Sequence, residues 1–154
     1  SCLRGREGEM VRGLIIALVM GLGLVATGCD GGGGDVDITL QEFAVGADPS
    51  SVSAGSVTFN IENTGPDDVH EFVVIRTDLD PTALPTDETG AVEETGEGME
   101  VVDEVEDIPV GDTPTLTIDD LTAGSYVLIC NIYDAPNKEA HYKLGMRTAF
   151  TVNP

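Results

Sequence analysis

Short runs of alternating apolar and polar residues, punctuated by Gly, Pro and Asn, constrain this chain more than anything else in it. Val36, Ile38 and Leu40 alternate with Asp37 and Thr39. Val57, Phe59 and Ile61 alternate with Thr58, Asn60 and Glu62 after the turn-former Gly55. A two-residue period marks a strand with one buried face, because successive side chains leave opposite sides of the pleat. Asn63-Thr64-Gly65-Pro66 is read as the break that ends the second run. From His70 to Arg76 both sets are apolar, Phe72 and Val74 on one face and Val73 and Ile75 on the other, so both faces are expected to be covered. Leu116 and Ile118 fall in a short strand after Pro114. Tyr126, Leu128 and Cys130 share one face of a strand from Ser125 to Asn131, and Arg147 to Val152 forms the last strand. No window sustains helical periodicity. Such a succession predicts an all-β chain folded as an antiparallel β-sandwich. With no Trp and seven aromatic residues, its core must rest on Val, Ile, Leu and a few Phe.

The N-terminal part reads differently. Gly13 to Gly28 is a 16-residue apolar or small stretch without charge, preceded by Arg12. A spanning helix needs about 20 residues, whereas a basic segment, a short apolar run and small residues at its end mark a secretory signal. Met10 is read as its start and the residues before it as upstream sequence, so that 1–28 are excluded from the folded domain. Ala26-Thr27-Gly28-Cys29 resembles a bacterial lipobox, which makes Cys29 the expected lipidation site and a membrane the expected anchor. Asp30 and the glycines that follow are read as a tether over 29–35, long and flexible enough to hold a domain off a surface. The domain itself is expected over 36–154.

From Cys29 onward the chain carries 26 acidic residues against four basic ones (Arg76, Lys138, Lys143 and Arg147), a net charge of about −22. That balance excludes nucleic acid and anionic lipid headgroups as electrostatic partners, since both are held through Lys and Arg. It suits steering toward a basic protein, and equally solubility or adaptation to a salty habitat. The acidity peaks between Asp78 and Asp107, where 12 of 30 residues are Asp or Glu. This segment is read as a solvated insertion. Leu79, Leu84, Met99, Val101 and Val102 are its points of packing, and Met99 to Ile108 is a charged edge strand that discourages strand addition.

With Cys2 upstream and Cys29 assigned to lipid, Cys130 is the one cysteine left in the domain and has no partner for a disulfide. An unpaired thiol in an oxidising compartment must be buried or occupied. The domain also holds only two histidines, His70 and His141, and two methionines, Met99 and Met146. Two imidazoles, one thiolate and a weak thioether are the donor set for copper cycling between Cu(I) and Cu(II). His70 opens a strand far upstream, Cys130 ends one, and His141 and Met146 follow in the next loop.

These residues carry a resemblance. Ala54-Gly55-Ser56-Val57-Thr58-Phe59, Asn63-Thr64-Gly65 and His70-Glu71-Phe72-Val73-Val74 resemble the first half of cupredoxin (blue, type 1 copper) domains. Gly124 to Asn131 and His141-Tyr142-Lys143-Leu144-Gly145-Met146 resemble the second. The resemblance spans about 36–154 apart from the acidic insertion. It implies a Greek-key sandwich of about seven to eight strands and one type 1 copper ion. His70, Cys130 and His141 would be its equatorial ligands and Met146 its axial one. It further implies outer-sphere electron transfer without enzymatic activity, through an exposed histidine edge. The expected setting is a monomer at the periplasmic or outer face of a membrane, with cytochromes or respiratory complexes as redox partners. The sequence departs from the family in one spacing: ten residues, Asn131 to Ala140, separate Cys130 from His141, where two to four are usual. Copper delivery and a metal-free interaction module are the competing readings. Further copper centres, as an oxidase would need, are excluded by the shortage of histidines.

Overall fold

The computed structural model of the chain describes residues 32–154, so the signal segment and Cys29 lie outside the described residues. Eleven strands and one short helix follow in order. The first half contains β1 (Gly33–Gln41), β2 (Ala44–Asp48), β3 (Ser51–Ser53), β4 (Gly55–Gly65) and β5 (His70–Thr77). Then come β6 (Met99–Ile108), β7 (Thr115–Leu121), β8 (Gly124–Ile129), the two-residue pieces β9 (Tyr133–Asp134) and β10 (Glu139–Ala140), α1 (His141–Leu144) and β11 (Arg147–Asn153). One sheet has the order β2-β1-β4-β7 and the other β3-β11-β8-β5-β6, with β9 and β10 forming a small separate hairpin.

The β-sandwich is thus as expected, with differences in detail. Two pairings, β1 with β4 and β11 with β3, are parallel, so the sheets are mixed and not purely antiparallel. β1 begins at Gly33, which shortens the expected tether and places Gly33 to Asp35 beside Ser56 to Thr58. The break expected over Asn63-Thr64-Gly65-Pro66 falls late in that motif: β4 runs on through Asn63 and Thr64 and ends at Gly65, itself at φ 66°. The sheets hold nine strands because β2 and β3 add to the set predicted. Their sequences, AVGAD and SVS, are too short and too small in side chain to show a period.

Alternation explains the core. Val36, Ile38, Leu40, Val57, Phe59 and Ile61 point inward from one sheet, and Phe72, Val74, Tyr126, Leu128, Phe150 and Val152 from the other. Phe59 lies at the centre, 5.4 Å from the ring of Phe72 and 5.7 Å from that of Phe150. At ~25 cal/mol per Å² of apolar surface removed from water, this layer is the main source of stability.

The outer face of β5 and β8 is also buried. Val73, Ile75, Val127 and Ile129 pack with Leu84, Val92 and Tyr142 into a second apolar cluster. Leu84 and Val92 belong to the acidic segment, which therefore acts as a strap across the sheet from residue 78 to 98. The other packing points expected there divide: Met99 and Val101 join this cluster, Val102 packs on the first, and Leu79 is exposed. The strap is fastened at two places. The Tyr142 hydroxyl accepts the Leu84 N–H at 3.0 Å and donates to the Pro81 carbonyl at 2.8 Å. The Asn131 amide accepts the Val92 N–H and donates to the Val92 carbonyl. Both fasteners directly follow candidate metal ligands, Cys130 and His141.

Tyr142→Phe removes one fastener and leaves a buried N–H unmatched, which costs about 1–3 kcal/mol. Denaturant unfolding of the variant is expected at a correspondingly lower midpoint. Amide exchange at Leu84 should accelerate while exchange in the Phe59 layer tracks only the global loss.

Candidate metal centre

Three donor atoms meet at one end of the sandwich. His70 opens β5 where Asn63 holds the preceding loop. The Asn63 amide donates to the carbonyls of Ile108 and Asp68, and its oxygen accepts the Gly65 N–H. Asn63 is wholly buried, so this network sets where His70 enters the strand. Cys130 follows the last residue of β8, and His141 begins α1. Nδ1 of His70 and Nδ1 of His141 are 3.2 Å apart, and Cys130 Sγ lies 3.8 Å from the first and 3.5 Å from the second. Ligand atoms about 2.0–2.3 Å from a shared ion at trigonal angles stand roughly 3.5–3.8 Å apart. The three atoms fit one small metal ion.

The ten residues between Cys130 and His141 do not push the ligands apart, because most of the added length is folded away from them. β9 and β10 pair back on each other, and the His141 N–H donates to the Ile132 carbonyl at 2.9 Å. The loop closes on itself before His141 enters. After α1, the Met146 N–H donates to the His141 carbonyl at 3.0 Å, and the Met146 carbonyl accepts the Cys130 N–H at 3.1 Å. Met146 is fully buried in the core cluster that also contains Cys130. The turn between them needs Gly145: at φ 136° a Cβ there would stand 2.8 Å from the Phe43 carbonyl oxygen. The Phe43 ring in turn packs edge-on against His141 at 5.2 Å.

All three donor residues are shielded from water, His70 and Cys130 at 0% and His141 at 1% exposure. The exposed histidine edge implied by the resemblance is therefore absent; the rings of Phe43 and His70 pack edge-on against His141, and Asp68 Oδ2 lies 4.0 Å from its Nε2. What remains is a surface hollow of about 340 Å³ lined by His141 with Asp68, Val69, Asp107, Ile132 and Asp134.

Burial governs the ionisation of the set. Desolvation lowers the pKa of both histidines, reinforced at His70 by the neighbouring His141 and opposed at both by carboxylates. Neutral imidazoles offer their lone pairs to a metal. Desolvation likewise pushes the Cys130 thiol up to about 12, against hydrogen bonds from the N–H groups of Ile132 and Glu71. The Glu71 N–H points at Sγ from 3.3 Å. Those donors cannot outweigh burial for a bare thiolate, but they are positioned to stabilise one whose charge is shared with a cation. Metal uptake must accordingly release the thiol proton.

Glu71 was not legible as part of the site. Its backbone N–H on Cys130 Sγ ties the residue following His70 to the second ligand. Desolvation, then Glu94, Glu104 and Glu106, raise the Glu71 pKa to about 7. Glu71, Glu94 and Glu104 form a half-buried carboxylate group at the edge of β5. The repulsion is the cost of a densely acidic segment lying against the sheet.

No protein-family model matches the sequence, and no curated protein does. Solved structures are similar in fold. Dithionite-reduced auracyanin from the photosynthetic bacterium Roseiflexus castenholzii superposes with a TM-score of 0.53 at 22% identity, over 79% of this chain and 97% of that one. Auracyanin A, described as a "blue" copper protein of Chloroflexus aurantiacus, gives 0.51 at 20% identity over 79% and 100%. An azurin from Methylomonas sp. strain J gives 0.54 at 15% identity over 78% and 98%. The fold is that of the cupredoxins.

A carboxyl group whose folded pKa is raised favours the folded state at low pH and loses that contribution as pH climbs through the folded value. In the metal-free domain, Glu71→Gln should therefore gain stability relative to the parent as pH rises from about 4.5 to about 7, the span of the Glu71 shift. Paired urea titrations across that range check this. A constant difference would mean Glu71 ionises normally.

Proposed function

We propose that this domain is a one-electron carrier in which His70, Cys130, His141 and Met146 would hold a single type 1 copper ion. The observation that carries the reading is the convergence of two imidazole Nδ1 atoms and one thiol within 3.2–3.8 Å, buried and already arranged by backbone hydrogen bonds. A copper ion so bound supplies a Cu(II)/Cu(I) couple. The protein's part is to hold the donors where both oxidation states accept them. Neutral imidazoles suit either state, and the Glu71 N–H on Cys130 Sγ spreads thiolate charge. The Cys130–Met146 backbone bond ties the two sulfur-bearing residues to one another. Burial of every donor supports retention of the ion over delivery to another protein.

The hollow above His141 is the proposed port. It is lined by a ligand ring, His141, by apolar Val69 and Ile132 and by the carboxylates Asp68, Asp107 and Asp134. Together with the net charge, those carboxylates favour a basic redox partner, with a cytochrome or a respiratory complex as the expected kind. The lipobox-like Ala26-Thr27-Gly28-Cys29 supports a lipid anchor that keeps the domain at the outer face of a membrane.

Cu(II) added to the purified metal-free domain is expected to produce an intense blue charge-transfer band, abolished in Cys130→Ser. A colourless copper-loaded parent sinks the reading. Electron exchange between the loaded domain and a cationic coordination complex should slow as salt is raised, because screening removes the attraction. With an anionic complex the salt dependence should reverse, as stopped-flow measurements at several ionic strengths would show.

A further inference from the structure

The four proposed ligands leave two buried polar atoms unexplained. His70 directs Nδ1 toward Cys130 and His141, so Nε2 is its outer nitrogen, and that atom is buried without a hydrogen-bond partner. Across from it is the carboxylate of Glu42, in the turn between β1 and β2. Glu42 Oε1 accepts the backbone N–H groups of Asp67 at 3.0 Å and Asp68 at 2.5 Å, and lies 3.7 Å from His70 Nε2. Glu42 Oε2 is also buried and also unpartnered. The unpartnered Nε2 therefore faces a carboxylate whose nearer oxygen, Oε1, stands slightly beyond hydrogen-bond distance and whose other oxygen, Oε2, has no donor of its own.

The surroundings say what this carboxylate is for. Its side chain is 11% exposed, so it is not a solvated surface acid. Two backbone N–H groups, those of Asp67 and Asp68, converge on its Oε1, the kind of partner an ionised carboxylate takes. Its counterpart behind His141 is weaker: Asp68 Oδ2 stands 4.0 Å from His141 Nε2 and is one-third exposed, so water competes for it. A metal-bound imidazole that donates its other N–H to a carboxylate has its tautomer and ring orientation set, and becomes a stronger donor.

We propose that Glu42 is a positioning residue for the metal centre: it receives the Nε2 proton of His70, which reserves Nδ1 for the metal and holds a fixed negative charge beside the ion. The assignment rests on the reading of the centre as a copper site. A nearby anion stabilises Cu(II) over Cu(I), so Glu42 lowers the reduction potential. It also couples two parts of the chain, since the same carboxylate anchors the loop that delivers His70. The sequence showed no sign of this, because Glu42 lies 28 positions before His70 in an acidic chain.

The test uses Glu42→Gln, which retains an oxygen for the Asp67 and Asp68 N–H groups and removes the charge. In the metal-free parent, ¹⁵N spectra of the His70 ring should show a single tautomer protonated at Nε2, and in the variant a mixture. In the copper-loaded full domain, the variant's equilibrium should move about tenfold toward Cu(I), an upward shift of about 59 mV for a one-electron couple. An unchanged tautomer or an unchanged potential overturns the proposal and leaves Glu42 as a loop anchor only. Should the variant not fold, the parent still decides: a His70 proton found on Nδ1, or exchanging between the nitrogens, overturns it. A parent that binds no copper would refute the electron-carrier reading, while the metal-free tautomer measurement would still report on the Glu42–His70 contact.

Discussion

The structure depends on keeping three polar donors together in a place water does not reach. His70, Cys130 and His141 have almost no exposed surface, and their facing atoms lie within 3.8 Å of one another. Without a cation between them, burial keeps the imidazoles neutral and the thiol protonated, so no attraction between opposite charges holds the arrangement together. It must be imposed from outside. Two sheets packed around Phe59 provide the rigid walls, and backbone hydrogen bonds set the last ångström: Asn63 behind the His70 loop, Ile132 to His141, and Met146 to Cys130. Donors organised in advance avoid the conformational cost of gathering them at the moment of binding.

The acidic segment has a place in that scheme. The unusual length between Cys130 and His141 would loosen a loop left in solvent. Here the loop folds into a hairpin, and the residues beside its two ligands, Asn131 and Tyr142, are bonded to the strap formed by 78–98. The strap also gives β5 and β8 a second apolar cover through Leu84 and Val92. Its many charges face outward, apart from the crowded group at Glu71, Glu94 and Glu104. The segment that reads as a solvated insertion is thus a brace for the metal loop, and its acidity keeps the added edge strand β6 from pairing with other chains.

Much of this was legible in the residues. Alternation located the central strands and their inward faces, because the two-residue period is a local property that any sheet must honour. The apolar run from Phe72 to Ile75 announced a strand covered on both sides, and the structure covers it. The donor set was legible for a different reason: the domain has two histidines and one cysteine, and such scarcity leaves few combinations. Strands β2 and β3 were not legible, since strands so short and so small in side chain are made by their neighbours. Nor were the parallel pairings, because a strand's own pattern does not name its partner.

By itself, then, the sequence determined which side chains form the core, that the fold is a β-sandwich, and which residues are able to bind a soft metal. Tertiary structure alone decided that His70, 60 positions before Cys130 and 71 before His141, reaches them through Nδ1. It alone decided that His141 is covered, that Glu71 joins the two ligand strands, and that Glu42 stands behind His70. The physical reason is range. Burial periodicity is written into neighbours along the chain, whereas a hydrogen bond or a charge acts over a few ångströms of space. Only the packed sandwich brings residues so distant in sequence within that reach.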